Sequence, residues 1–372
     1  MATPAVLSLV KRLLLVGLVV VSACVPAASP SAPSSSATAT ASAGNAGLAC
    51  RLPLADFEYS ADLSTWTLEA GFVTFPGAGL TIDPNVAFEA MTANGFVKVK
   101  SVVKPYLYGG PGVATFTRRY GRWLPASVAA VSPESSHYSY SEPYNDANGP
   151  RSRIHVVNVA SASDLVVYDQ GFYAVIGYEP EGIYLFAVGY ADAPNSGLWR
   201  LDPQARSVRQ IASQNLTVDY VGGGAAWYSD LGPGDQPPSS LTNPMARAFF
   251  KDRVLRIDLK SGVVSPWFRR PGKEVHAIGV DGVGHPIVTG SSPIDAGTSN
   301  AEELWLVTGP DQGKQIYGGP GSNSPDFVGF GTSLADSHGL WFGSKKGVFL
   351  YTPDGTLQKV STAVGEVAGR CS

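Results

Sequence analysis

The chain has 372 residues, 27 lysines and arginines against 30 acids, and 15% charged beside 44% hydrophobic residues. That balance excludes a disordered chain, a coiled coil and a basic nucleic-acid binder. Forty-two glycines and 28 prolines, about one residue in five, point to many short strands and tight turns rather than long helices. Seven Trp, 16 Tyr and 15 Phe supply bulk for a layered β core, and the length suffices for one large all-β domain or two ordinary ones.

Lys11 and Arg12 precede an apolar run from Leu13 to Val21. This is the charge-then-apolar order of an export signal, and the run is shorter than the roughly 20 residues a membrane-spanning helix needs. Val21, Ser22, Ala23 and Cys24 close it. This tetrapeptide resembles the cleavage box of bacterial lipoproteins, and the resemblance implies that Cys24 becomes the acylated first residue of the mature chain, held at a lipid bilayer by more than one acyl chain. The alternative is a plain signal peptide with an incidental cysteine. Val25 to Gly47 is almost wholly Ala, Ser, Pro, Thr and Gly, without a charge or an aromatic ring, and reads as a flexible tether. The expected organisation is a signal over 1–23, a tether over 24–47 and one folded domain over 48–372. Loss of Lys11 and Arg12 would carry the formal charge from −3 to −5.

With Cys24 so assigned, Cys50 and Cys371 remain, and export makes a disulfide between them the expected pairing, with two free thiols as the alternative. The bridge would close a loop of about 320 residues, valued in the chain-entropy model at roughly 5–6 kcal/mol. A staple between the two ends of a domain suits a fold whose ends must meet, as in a closed ring.

A hairpin pattern, strand, polar turn, strand, recurs at Ala114 to Trp123, Ile154 to Tyr168, Leu198 to Ile211, Val254 to Trp267, Leu304 to Tyr317 and Val348 to Val360. The spacing is that of four-stranded propeller blades. A more apolar strand precedes each hairpin and is expected to line the inner layers: Phe72 to Phe75, Tyr138 to Tyr140, Ile183 to Val188, Ala225 to Tyr228, Pro286 to Thr289 and Gly339 to Phe342. Six such pairs predict an all-β, six-bladed β-propeller. Seven blades or a pair of β-sandwiches are the alternative folds. Asp83 to Thr92 is expected to be one short helix.

Val131 to Tyr140, with Ser132, Pro133, Glu134 and Ser135 before a Tyr-rich strand, resembles the repeat of TolB-type propellers. Glu134 stands where that repeat has Asp, and Ser135 where it has Gly. The resemblance covers one blade and implies fold rather than activity.

The search for chemistry finds no nucleophile elbow, phosphate loop, His-Glu-x-x-His or Cys-x-x-Cys pattern. Ser101 to Lys104 fits Ser-x-x-Lys without its companion motifs, and Ser60 to Trp66 resembles a sialidase Asp box that lacks its Gly. Asn215 to Thr217 is a sequon of little meaning in a bacterial lipoprotein. Tyr-Gly-Gly-Pro-Gly at 108–112 and 317–321 reads as a rigid turn displaying a Tyr. Asp230 to Pro244 reads as a long inserted loop. The histidines 137, 155, 276, 285 and 338 lack metal-like spacing, so no metal or cofactor is expected.

The candidates for a central funnel are His276, Asp281, His285, Asp336 and His338, with the three histidines expected to meet in one pocket. Two functional readings follow. One is a lipid-anchored, extracytoplasmic, monomeric binding module for a carbohydrate or protein ligand. The other is a propeller lyase, lactonase or glycosidase using those His and Asp residues. A purely structural role would leave neither mouth of the ring with a pocket of about 300 Å³.

Overall fold

The computed structural model describes residues 47–59, 66–84, 86–92, 95–100, 114–147, 149–187, 197–213, 218–232, 235–239, 241–293 and 301–372. The expected signal and nearly all of the tether lie outside them, as do Ser60 to Thr65, Ser101 to Lys104, the first Tyr-Gly-Gly-Pro-Gly and the sequon.

Six antiparallel sheets form the blades of a β-propeller. Blade 1 is Arg51–Tyr59, Trp66–Thr74 and Gly79–Ile82, and Glu366–Val367, from the far end of the chain, supplies its innermost strand. Blade 2 is His137–Asp146, Gly149–Asn158 and Asp164–Tyr168, with a single bridge from Val131 to Tyr138 in the innermost place. Blade 3 is Tyr173–Glu179, Gly182–Ala187, Leu198–Asp202 and Ser207–Ala212. Blade 4 is Val218–Gly222, Ala225–Asp230, Arg253–Asp258 and Val264–Arg269. Blade 5 is Glu274–Val280, Pro286–Ser291, Ala301–Gly309 and Gln312–Pro320. Blade 6 is Phe330–Asp336, Gly339–Ser344, Val348–Tyr351 and Leu357–Ser361.

Innermost strands of successive blades stand side by side, Gly177 against Val221, Gly222 against Val280, Gly279 against Ser333 and Gly331 against Glu366. Strands converging on an axis need such close approaches, which is why each of the four carries a glycine. The segments expected to line the inner layers are in fact the second strands of blades 3 to 6, the first strand of blade 2 below its Val131 bridge, and the third strand of blade 1. Their apolar runs reflect cover on both faces: Ile183, Tyr184, Leu185, Ala225, Ala226, Ile287, Val288, Trp341 and Phe342 are fully buried. Each large side chain withdrawn there contributes about 1.5–3 kcal/mol. The innermost strands have one edge on the channel and a correspondingly weaker apolar pattern.

Two further expectations are corrected. Asp83 to Thr92 is not a helix: Ala87–Thr92 is a strand paired with Gly95–Lys100, cross-strand pairing overriding the helix formers Ala, Glu and Met. The hairpin at Ala114 to Trp123 belongs to no blade. Thr115–Thr117 and Arg122–Leu124 make a separate two-stranded sheet, a wedge between blades 1 and 2. Phe116 N–H donates to Ala368 O at 2.7 Å, the Arg122 guanidinium donates to Val159 O at 2.8 Å, and the Phe116 ring meets Phe72 edge-on at 4.8 Å.

The ring closes twice over beside this wedge. Leu54 and Ala55 pair with Val367 and Glu366, and Arg51 and Ser372 exchange backbone hydrogen bonds at 2.9 and 3.1 Å. The Cys50–Cys371 disulfide, with Cα atoms 5.5 Å apart, lies among Leu48, Leu52, Val73 and Trp341.

Candidate functional site

The turns that end the innermost strands crowd one mouth of the ring. Gly223 and Gly284, from neighbouring blades, both have positive φ (65° and 95°), and a Cβ on Gly223 would stand 2.5 Å from the Gly284 Cα. Only glycine serves both demands. Around them opens a cavity of about 930 Å³. Its wall is built from the turn Asp281 to Gly284, Ser333 to Ser337, the tip of the wedge hairpin, Ser132, Pro133 and Ser135, and Gly369 to Ser372. A cavity of that volume falls within the size range of ligand sites.

The stretch with the TolB-type resemblance thus faces this cavity. Ser135 N–H donates to Ser132 O at 2.7 Å, Ser132 Oγ accepts from His137 N–H at 3.0 Å, and Ser135 has φ 59°, the left-handed turn geometry that the repeat's Gly would adopt without cost.

The funnel candidates divide between the two mouths. His276 sits near the start of its strand, at the mouth away from the cavity. Its Nδ1 lies 3.4 Å from Asp219 and its Nε2 3.6 Å from Glu274. Hydrogen bonds to Asp219 and Glu274 raise its pKa to about 10, against the opposing effect of burial, so it is an imidazolium at neutral pH. The other four candidates are at the cavity mouth, as two separate pairs. Asp281 accepts from the N–H groups of Val283 and His285 at 2.9 and 2.8 Å, and its other oxygen lies 2.9 Å from His285 Nδ1. Asp336 accepts from His338 N–H at 2.8 Å and from Cys371 N–H at 2.9 Å, with His338 Nδ1 at 3.3 Å.

The expectation that His276, His285 and His338 meet in one pocket is therefore overturned. Asp281 and Asp336 line the cavity, whereas His285 and His338 do not, and the His338 ring packs edge-on to the buried Trp341 with centroids 6.0 Å apart. Each aspartate ties a turn, and in one case the closing segment, to itself. Among the described residues no three His, Cys, Asp or Glu groups are disposed to hold a metal ion.

Residues the sequence left unmarked give the mouth its chemistry. Arg118, Arg119 and Arg370 all line the cavity and are exposed. Arg119 donates to Glu134 O at 3.0 Å. Tyr220 lines the wall too, and burial, with Glu179 adding, pushes its phenol up to about 12, so it remains a neutral hydroxyl. No motif marks the arginines; only the wedge and the closing segment bring 118 and 370 together.

A second polar group was also unmarked. In blade 2 the buried His155 has Nδ1 2.9 Å from Asp164 and Nε2 3.2 Å from Glu142, stacked on Tyr140 at 4.4 Å. It pins that blade's outer strand. The second Tyr-Gly-Gly-Pro-Gly is not a turn: Tyr317 to Pro320 continue the outer strand of blade 5, and Tyr317 packs edge-on to Phe330 at 5.0 Å. Asp230 to Pro244 leads into a short helix, Pro244–Phe249, held by Arg247 donating to Pro238 O and Leu241 O.

No family model matches the chain, and no curated protein matches it. Among solved structures it is similar to the β-propeller domain of the trilobed protease from Pyrococcus furiosus, at 11% identity over 83% of this chain and 86% of that one, with TM-score 0.39. TolB from Acinetobacter baumannii matches at 12% identity over 86% of this chain and 67% of that one, with TM-score 0.40. An oligogalacturonate lyase in complex with manganese matches at 11% over 84% and 78%, with TM-score 0.41. At these scores each is a likeness only, and the propeller architecture rests on the six sheets themselves.

Proposed function

We propose that the chain is an extracytoplasmic lipoprotein whose propeller binds a ligand at the mouth framed by Asp281 to Gly284 and Ser333 to Ser337. The observation that carries the binding reading is that both cavity aspartates are already engaged. Asp281 and Asp336 accept backbone N–H groups and hold imidazoles that stand outside the cavity wall. A general acid or base must reach the proton it transfers, and these groups face their own turns. The anchoring half of the reading rests on Val21 to Cys24 and the charge-poor stretch that follows, which would hold the ring clear of the bilayer.

Each half has its own test. Metabolic labelling with a palmitate analogue should mark the wild type and not Cys24→Ala; equal labelling of both refutes the anchor. Hydrogen exchange of the full chain with fractionated envelope solutes should give protection centred on 281–284 and 333–337. Protection confined to the opposite mouth, or consumption of a solute in step with the protein added, refutes a binding module at this site.

A further inference from the structure

We propose that the cavity takes a small anionic ligand, one carrying carboxylate or phosphate groups, gripped by Arg118, Arg119 and Arg370. The inference deepens the binding-module reading and depends on it. Three arginines, from two stretches of chain far apart in sequence, line one cavity of about 930 Å³. Their convergence is built in: the Phe116 N–H bond to Ala368 O joins the wedge to the closing segment, and Arg118 and Arg370 each stand two residues beyond it.

Two aspartates share the wall with them, and both have other hydrogen-bond partners. Asp281 and Asp336 are occupied by N–H donors of their own turns, of the closing segment and of His285 and His338. Arg119 uses one donor on Glu134 O and lies near the Tyr120 ring, its cation 5.4 Å from the centroid. No hydrogen bond or ion pair within the described residues engages the guanidinium of Arg118 or of Arg370. Guanidinium forks match carboxylate and phosphate oxygens two at a time, and neighbouring like charges left exposed in a concave wall raise the local concentration of anions. Tyr220 and the Ser337 backbone would add neutral donors beside the arginines. The exposed Val283, at the tip of its turn, offers an apolar contact for the carbon frame of such a ligand.

The test is calorimetric titration of the full-length chain with citrate and with inorganic phosphate, using maltotriose and spermidine as the neutral and cationic comparators. One or both anions should bind, more weakly as salt rises, and the comparators should not. Removal of one charge-assisted pair costs about a factor of ten or more, so Arg118→Ala with Arg370→Ala should weaken anion binding about a hundredfold. Arg118→Lys with Arg370→Lys should restore part of it, because charge returns without the fork. Arg209→Ala, on the outer strand of blade 3, should leave binding unchanged; circular dichroism verifies that each variant is folded. Citrate tells a carboxylate source from phosphate.

Failure of both anions to bind at 10 mM, or equal binding by the folded double-alanine variant, overturns the inference. Binding of maltotriose at this mouth in place of the anions overturns it while leaving the binding-module reading standing. The hydrogen-exchange experiment above judges that reading separately.

Discussion

Replacing Cys50 and Cys371 together by alanine isolates the contribution of the clasp. The two residues are 321 apart in sequence, so the bond restricts nearly the whole unfolded chain. The chain-entropy model gives about 6 kcal/mol for a loop of that size. Native contacts around it persist in the variant: the Arg51–Ser372 backbone pair, Ala368 N–H to Pro53 O, and the Leu54–Val367 and Ala55–Glu366 register. The two cysteines are each 7% exposed, and deleting their sulfurs from the cluster of Leu52, Val73 and Trp341 adds roughly 1 kcal/mol of lost packing. Against this, residual structure in the unfolded state reduces the entropic figure, and we expect a net loss of about 3–6 kcal/mol. With an unfolding entropy of about 2 cal/mol/K per residue, a 4 kcal/mol loss over some 320 residues lowers Tm by about 6 °C. Urea unfolding followed by tryptophan fluorescence should show the lower midpoint together with a larger m, because the open unfolded chain exposes more surface. Hydrogen exchange should place the earliest opening at Leu54, Ala55 and residues 366–368, with blades 3 to 5 unaffected. A loss below about 1 kcal/mol, or opening that begins in blade 4, would refute this account of the closure.

His276 is held protonated by Asp219 and Glu274, its pKa raised from 6.5 to about 10. Its stabilisation is therefore complete below pH 6.5 and lost as pH rises towards 10. With 46% of the side chain exposed, the effect should stay below about 1 kcal/mol. An imidazole NMR titration with a midpoint at or below 6.5, or a His276→Gln variant that keeps this alkaline slope, contradicts it. Trp341→Ala removes a fully buried side chain shared by the Phe75 ring, 5.5 Å away, and the closure cluster, and should cost about 3–5 kcal/mol in chemical denaturation. Ser135→Gly relieves a left-handed backbone at φ 59° and should raise stability by about 0.5–1 kcal/mol, whereas a destabilised variant would mean the Ser135 side chain matters more than its backbone.

What the sequence made legible follows the strength of local signals. The outer hairpins are announced by turn chemistry: Asn158, Asp202 and Asp258 each accept N–H bonds from residues two and three further on, at the end of a third or equivalent strand. The Cys50–Cys371 pairing was legible from the cysteine count once Cys24 was set aside by its resemblance to a lipoprotein box. The innermost strands were not, because a strand with one edge on a channel, broken by Gly177, Gly222, Gly279 or Gly331, carries little apolar periodicity. The recurrence of Ile-Gly-Tyr at 176–178 and Ile-Gly-Val at 278–280 was the available signal. The hairpin at 115–124 has the local pattern of a blade, and only its long-range bonds to Ala368 and Val159 make it a wedge. For the candidate site, the partners of Asp281 and Asp336 are set by turns of two to four residues and by the closing segment. The arginines depend on a contact between residues about 250 apart, which no local rule encodes.

The innermost strand of blade 1 has a consequence for biogenesis. Its residues, Glu366 and Val367, are made some 300 residues after the strands they complete. Until they arrive, blade 1 presents the Leu54 edge of its sheet without a neighbour, and unpaired edges are where nascent chains adhere to one another. Blades 3 to 6 can each form in sequence as the chain lengthens, yet the circle is complete only once residues 366 and 367 have been made. Any delay before they arrive leaves blade 1, made some 300 residues earlier, as the most vulnerable part of the ring.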